Sequence, residues 1–165
     1  AALSIYKREF IVYRIYNFND CPRGISECTK YIHSKWGSQK NYSYFENAVV
    51  NSSELERSIP QFYVLTYNDE IVGCFGLIIN DFISRHDLYP WFSSLFIEQE
   101  HRGKKLSEGM FEYARKIAQS MGYQHIYLTT DHDGLYEKFG WVQIENAYEP
   151  SGEVTKVYRM SVAHA

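Results

Sequence analysis

The feature that most constrains the fold is the run of residues 91–130, in which a short strand precedes a long amphipathic helix and a second strand. Residues 91–97 (WFSSLFI) and 125–130 (HIYLTT) have the aromatic and β-branched content of strands. Between them, apolar side chains recur at spacings that predict one buried helix face (Leu106, Met110, Ala114, Ile117 and Met121). A strand–helix–strand unit joins parallel strands by a right-handed crossover, so this run predicts a parallel pair in the sheet.

The rest of the chain supplies further strands and helices. Hydrophobic patterns predict helices at 24–36, 42–50 and 134–139, and strands at 10–16, 61–67, 71–79, 141–147 and 154–162. Asn68, Asp69 and Glu70 lie between two of these strands and indicate a hairpin. The chain has no repeat and no Pro/Gly-rich linker, and 165 residues is one domain's length, so we expect a single α/β domain over 1–165.

Composition excludes several classes of protein. The chain has 17 Lys and Arg against 20 Asp and Glu, for a net charge of −3, whereas general nucleic-acid binders are usually strongly basic. Its longest apolar run, residues 71–79, is too short to span a bilayer. Cys21, Cys28 and Cys74 form no CxxC pair, which predicts neither a disulfide framework nor a zinc site. We therefore expect a cytoplasmic protein with no nucleic-acid, membrane or metal partner.

The turn before the long helix is a candidate anion site. It reads His101-Arg102-Gly103-Lys104-Lys105, which places a cluster of cations at a helix start. Cations there oppose the helix dipole, so their placement needs a reason, and a bound anion supplies one because the first N–H groups of a helix are free. The alternative is a solvated basic turn that tolerates the penalty.

These residues resemble a known family. The run SLFIEQEHRGKKLSEGMFEYARKIAQSMGYQHIYLTT, followed by LYEKFGW, is similar to the core of the GNAT superfamily of acyl-CoA N-acyltransferases. In that family an (Arg/Gln)-x-x-Gly-x-(Gly/Ala) motif leads into the helix, and a Tyr-Glu-Lys-x-Gly-aromatic segment follows the next strand. The resemblance is close over 91–141. It implies a mixed, mostly antiparallel central sheet with a V-shaped splay between two parallel strands and helices on both faces.

The resemblance also implies acetyl-CoA as co-substrate and assigns residues to it. The turn would wrap the pyrophosphate, with Lys105 and Ser107 standing where the family has small residues (Arg102, Gly103, Lys104, Lys105, Leu106 and Ser107). The backbone of the preceding strand would hold pantetheine (Leu95, Phe96 and Ile97). The N–H near Leu95 would polarise the acetyl carbonyl, because a preorganised donor stabilises a developing oxyanion.

Catalytic side chains are also assigned by this resemblance. Tyr136 would protonate the departing CoA thiolate, and it would also contact the cofactor. The base that deprotonates the amine stays open among Glu98, Asp131, His132 and a water relay. The acceptor pocket would use aromatic and acidic side chains, among them Trp36, Asp87 and Trp91, with further candidates in its walls (Tyr42, Tyr44, Phe45 and Asp81).

The sequence therefore predicts an N-acetyltransferase that acts on a primary amine of a small molecule. The alternatives are a non-catalytic acyl-CoA-binding regulatory module and an acetyltransferase acting on a protein amine. A phosphate-binding or nucleotide-binding domain unrelated to CoA and a protein-interaction domain are more distant alternatives. The sequence does not decide between a monomer and a homodimer.

Overall fold

The computed structural model describes residues 3–8, 11–53 and 58–163. Its helices are α1 (Ile25–Trp36), α2 (Tyr42–Ser53) and α3 (Leu106–Ser120). Its strands are β1 (Leu3–Arg8), β2 (Ile11–Asn17), β3 (Gln61–Tyr67), β4 (Glu70–Ile78), β5 (Trp91–Ile97), β6 (His125–Thr130), β7 (Val142–Tyr148) and β8 (Val154–Ser161). The strand order is β1-β2-β3-β4-β5-β6-β8-β7. The sheet is mostly antiparallel with β5 and β6 as the parallel pair, so the predicted mixed sheet is confirmed.

Packing divides the chain into two compact units, and the first comprises Ala1–Gly76 with Ser94–Met110. In this unit β2 pairs antiparallel with both β1 and β3, and Ile15 lies opposite Leu65. Both side chains are fully buried, as is Ile32 of α1. Strand β3 is buried along almost its whole length, so its apolar residues and those of β2 and α1 supply the core of this unit.

The second unit comprises Leu77–Ser93 with Phe111–Ala165. Here β8 pairs antiparallel with both β6 and β7. The parallel ladder joins Trp91 of β5 to Tyr127 of β6. A buried apolar cluster lies on this part of the sheet (Ile83, Trp91, Tyr127, Ala147 and Val157).

Most predicted elements agree with the structure to within one to three residues at their ends. The hairpin is confirmed: Asn68 and Asp69 form the two-residue connection, with φ of 47° and 69°, the paired positive values of a type I′ turn. The helix predicted at 134–139 is shorter, a 3₁₀ turn at Glu137–Phe139. Strand β1 was not predicted, and residue 10 of the predicted first strand lies outside the described residues.

Candidate active site

The turn between β5 and α3, residues 101–107, is called the basic turn below. Gly103 and Lys105 both take positive φ, at 78° and 59°. The carbonyl of Lys105 accepts a hydrogen bond from the N–H of Gly109 at 3.4 Å, so Lys105 is the residue that begins the helix. A lysine side chain has no acceptor with which to cap helix N–H groups, unlike the usual Ser, Thr, Asp or Asn. The turn therefore offers helix N–H groups and cationic side chains to a ligand that carries negative charge.

Arg102 lies against the end of β5. Its Nε donates to the carbonyl oxygen of Ile97 at 2.8 Å, and its guanidinium carbon is 5.5 Å from the centroid of the Phe96 ring. The side chain is exposed. This arrangement occupies the carbonyl of Ile97, one of the hydrogen-bonding groups that the family resemblance assigns to pantetheine.

Strand β5 changes character along its length. Residues 91–93 are buried, whereas residues 94–97 are only half-buried. Ser94 takes a φ of 56°, an unusual value for a non-glycine residue inside a strand. Within the first unit, a Cβ on Gly73 of β4 would come within 2.7 Å of the carbonyl oxygen of Phe96, so only glycine allows this approach. The cofactor-binding roles of Leu95, Phe96 and Ile97 stay predictions.

Glu98 follows β5 and lies in a polar network with helix α1. Its Oε1 accepts from the Tyr31 hydroxyl at 2.9 Å and lies 2.6 Å from the Lys35 ammonium, which is itself 4.6 Å from the centroid of the Phe96 ring. The bond from Lys35 is the main cause that holds the pKa of Glu98 below its usual value. A carboxylate with a lowered pKa and two donors on one oxygen is a weak general base, which argues against that role for Glu98.

A second network joins the basic turn to strands β2 and β3. The hydroxyl of Tyr13 lies 2.7 Å from Nδ1 of His101, and the Lys104 ammonium donates to the same hydroxyl at 3.3 Å. The Tyr67 ring packs on His101, with centroids 4.9 Å apart. His101 belongs to the turn that the sequence marks as a candidate anion site, whereas Tyr13 lies 88 positions away in a strand and was not predicted as a site residue.

In the second unit, Tyr136 is half-buried just before the 3₁₀ turn. Its ring lies between Phe111 of α3 and Tyr158 of β8, with centroid separations of 6.0 Å and 6.1 Å. Burial raises the pKa of Tyr136, and a hydrogen bond with Thr130 partly opposes this. The phenol is therefore held in its protonated form at neutral pH, as a proton donor must be. Its predicted role as general acid stays a prediction.

The residues that follow β6 lie on the surface. Asp131, His132 and Asp133 are all exposed. Lys156 of β8 binds this segment twice, at 2.6 Å to the Asp133 carboxylate and at 3.1 Å to the carbonyl oxygen of Asp131. The backbone N–H of His132 donates to the Thr130 hydroxyl at 3.1 Å. This segment is ordered by local bonds, and its imidazole and the Asp131 carboxylate remain candidates for the base.

Two of the three main acceptor predictions change. Trp91 is fully buried, and its indole N–H donates to the carbonyl oxygen of Leu88 at 2.6 Å, so it is a core residue; its assignment to the acceptor pocket was wrong. Asp87 receives two hydrogen bonds from Arg85, at 2.9 Å and 2.8 Å, and these bonds lower its pKa to about 2. An acceptor ammonium would have to compete with Arg85 for it. Trp36, at the end of α1, is 51% exposed and is open to contact.

Asp81 lies in the loop that follows β4. Asn80 closes a tight turn here, because its side chain bonds both the N–H and the carbonyl oxygen of Ile83, at 3.1 Å and 2.8 Å. Burial raises the pKa of Asp81 to about 6. Its neighbour Phe82 is 60% exposed. Asp81 is half-buried and Phe82 follows it in sequence, and a carboxylate and an exposed aromatic ring are groups that bind ammonium, through ion pairing and cation–π attraction.

The described part of the chain offers neither a metal site nor a membrane-spanning helix. Over residues 3–8, 11–53 and 58–163, no group of three or more His, Cys, Asp or Glu side chains could hold a metal ion. Among the same residues, no helix has the length and apolar character needed to cross a membrane.

Comparison with known families now gives the class of protein. A sequence model of the Acetyltransferase (GNAT) family matches residues 17–141, which is most of the chain. The chain therefore belongs to the GNAT acetyltransferase family. Comparison with curated protein sequences finds no match.

Solved structures of GNAT enzymes share the fold. An aminoglycoside 6'-acetyltransferase type Ii is similar, with 18% identity and a TM-score of 0.66 over 92% of this chain and 98% of that chain. An aminoglycoside 6'-N-acetyltransferase complexed with coenzyme A has 15% identity and a TM-score of 0.67, over 92% of this chain and 98% of that chain. Spermidine/spermine N-acetyltransferase SpeG from Vibrio cholerae, in complex with manganese ions, has 16% identity and a TM-score of 0.63, over 91% of this chain and 92% of that chain. At these identities the likeness concerns the fold alone.

Proposed function

We propose that this chain transfers an acetyl group from acetyl-CoA to a primary amine of a small molecule. The observation that carries the proposal is the conformation of the basic turn. Lys105 stands where the family has glycine, yet its φ of 59° is a value that glycine adopts readily. The turn thus keeps the backbone shape of a phosphate loop although the residue type disfavours it, and strain of this kind is typical of functional sites.

The residues of the turn fit a phosphate-bearing co-substrate. CoA carries a pyrophosphate, and the free N–H groups at the start of α3 together with exposed Arg102, Lys104 and Lys105 supply donors for it. Acetyl-CoA would supply an activated acyl group with a thiol as leaving group. The chain's own task is to hold that group, orient the amine and move two protons.

In the proposed reaction the amine nitrogen attacks the acetyl carbonyl, the C–N bond forms and the C–S bond breaks. The backbone N–H near Leu95 stabilises the oxyanion, and Tyr136 gives its proton to the thiolate. The amine's proton passes to His132, Asp131 or a water molecule, since the low pKa of Glu98 makes it a weak base. Trp36 and Asp81 are the residues that we propose for acceptor binding.

The acceptor class is supported by structural neighbours that are named as aminoglycoside and spermidine/spermine acetyltransferases, since aminoglycosides and polyamines are small amines. Asp81 and the exposed ring of Phe82 also suit a cation. Cytoplasmic location, organisation as one domain over 1–165 and the splay between the parallel strands remain predictions, and both a monomer and a homodimer stay open.

Acetyl transfer to a panel of amines, followed by detection of the free CoA thiol, tests the proposal. The panel includes a polyamine, an aminoglycoside, amino acids and a lysine-containing peptide. Amine-dependent thiol release and a product heavier by one acetyl group are the expected results. Binding of acetyl-CoA without release for any amine would favour a regulatory module, and release with the peptide alone would favour a protein acceptor.

A further inference from the structure

We infer that Tyr13, on strand β2, is a positioning residue for the basic turn, and that it acts by holding Lys104 and His101. The inference rests on the proposed function, in that the turn is taken to bind CoA phosphates. It adds a residue about ninety positions from the motif, in a part of the chain where the family resemblance assigns no role.

Two hydrogen bonds meet at the Tyr13 hydroxyl. A lysine ammonium can only donate, so the Tyr13 oxygen accepts from Lys104 at 3.3 Å. The same hydroxyl also forms a hydrogen bond with His101 Nδ1 at 2.7 Å, as donor or acceptor according to which ring nitrogen of His101 carries the proton. One phenol thereby restrains a residue at the start of the turn and a cation in its middle.

Packing makes the phenol a rigid anchor. Tyr13 is 1% exposed, on a strand paired on both sides, whereas Lys104 is exposed. The Tyr13 ring packs edge-on to His101 at 5.6 Å and against Tyr67 at 5.1 Å, and the Lys104 ammonium lies 5.9 Å from its centroid. A flexible lysine loses much rotamer freedom when it binds a phosphate, and a side chain already restrained loses less.

The arrangement therefore predicts a specific defect in Tyr13→Phe, which removes only the hydroxyl. The dissociation constant for CoA should rise about tenfold, the scale expected for one hydrogen bond to a charged group. The dissociation constant for pantetheine, which lacks phosphates, should not change. Tyr16→Phe is the matched control, because Tyr16 is on the same strand, is buried, and its hydroxyl contacts Arg14 rather than the turn.

A double-mutant cycle separates positioning from a general loss of stability. If Tyr13 acts partly through Lys104, the two substitutions should not have independent effects. The dissociation constant of Tyr13→Phe/Lys104→Ala for CoA should then rise by less than the product of the two single-variant increases. His101→Phe keeps a ring for Tyr67 to pack on and removes the hydrogen-bonding partner of Tyr13, so it should give a similar CoA-specific loss. It also replaces Tyr13→Phe in the test if that variant does not fold.

Calorimetric titration with CoA and with pantetheine tests the inference. The four proteins of the cycle are wild type, Tyr13→Phe, Lys104→Ala and the double variant, and Tyr16→Phe is measured beside them as the control. A wild-type protein that binds CoA while Tyr13→Phe binds it equally well would overturn the inference. Equal losses for CoA and pantetheine, or fully multiplicative losses in the cycle, would also overturn it. If the wild-type protein binds no CoA, the proposed function itself fails, and that result is distinct from the others.

Discussion

Replacing Lys105 by glycine tests the interpretation of the basic turn most directly. A non-glycine residue in the left-handed region costs roughly 1–2 kcal/mol, and Lys105 has a φ of 59°. Glycine removes this strain but has a more flexible unfolded state, which offsets roughly 0.5–1 kcal/mol. We therefore expect Lys105→Gly to raise the free energy of unfolding by about 0.5–1 kcal/mol. For a chain of this length that is about 1–4 °C in Tm.

Two controls separate backbone strain from charge. Lys105→Ala removes the ammonium and keeps the strain, so its Tm should rise only by the charge contribution that Lys105→Gly shares and should stay below that of Lys105→Gly. Gly103→Ala introduces the same kind of strain instead of removing it. The φ of Gly103 is 78° and a Cβ there would meet nothing within 4 Å, so any destabilisation comes from the backbone alone. Denaturant unfolding and thermal melts of the three variants, without ligand, give the measurement. Equal stability of Lys105→Gly and Lys105→Ala would refute the strain argument.

Three further predictions concern single side chains. Tyr136→Phe should lower kcat about 100-fold and leave KM for acetyl-CoA nearly unchanged, because the lost proton donor acts only as the C–S bond breaks; steady-state kinetics on a folded variant checks this. Glu98 has a lowered pKa, so its contribution to stability is present above pH of about 4.5 and is lost as pH falls further; Glu98→Gln should remove that part of the acid dependence in urea unfolding. Asp81 has a pKa raised to about 6, so its ionisation lowers stability as pH rises from about 4 to 6; Asp81→Asn should be stabilised relative to wild type at pH 8 but not at pH 4, by the same assay.

Most strands and helices were predicted well because the residues within each element are enough to indicate its conformation. The β3–β4 hairpin is an example, since a two-residue polar connection between apolar strands leaves few other conformations. Strand β1 has no such strong pattern, and its pairing with β2 forms it. Propensity alone does not report a partner strand, so sequence reasoning did not find it.

The site residues divide in the same way. The basic turn was found because its cations are consecutive in sequence. Trp91 was misassigned because an aromatic residue at a strand start fits a pocket wall and a core equally well, and only the packing of Ile83 and Tyr127 against it decides between them. Tyr13 was missed for a related reason: a tyrosine in a strand predicts burial, and the sequence does not show what its hydroxyl meets.

The basic turn combines three local features, each of which destabilises the folded state when no ligand is bound. Lys105 takes a backbone conformation that suits glycine, it begins a helix that its side chain cannot cap, and it adds positive charge to the positive end of the helix dipole. An anion with several oxygens relieves the last two together, because it accepts from the helix N–H groups and neutralises the cations. A turn with no ligand would keep all three penalties with no compensation, whereas conflicts between local preference and structure are expected where a protein binds or reacts. The uncapped helix start and its cations are therefore the two features that support the proposed phosphate binding, and the backbone conformation of Lys105 is a third departure of the kind expected at a functional site.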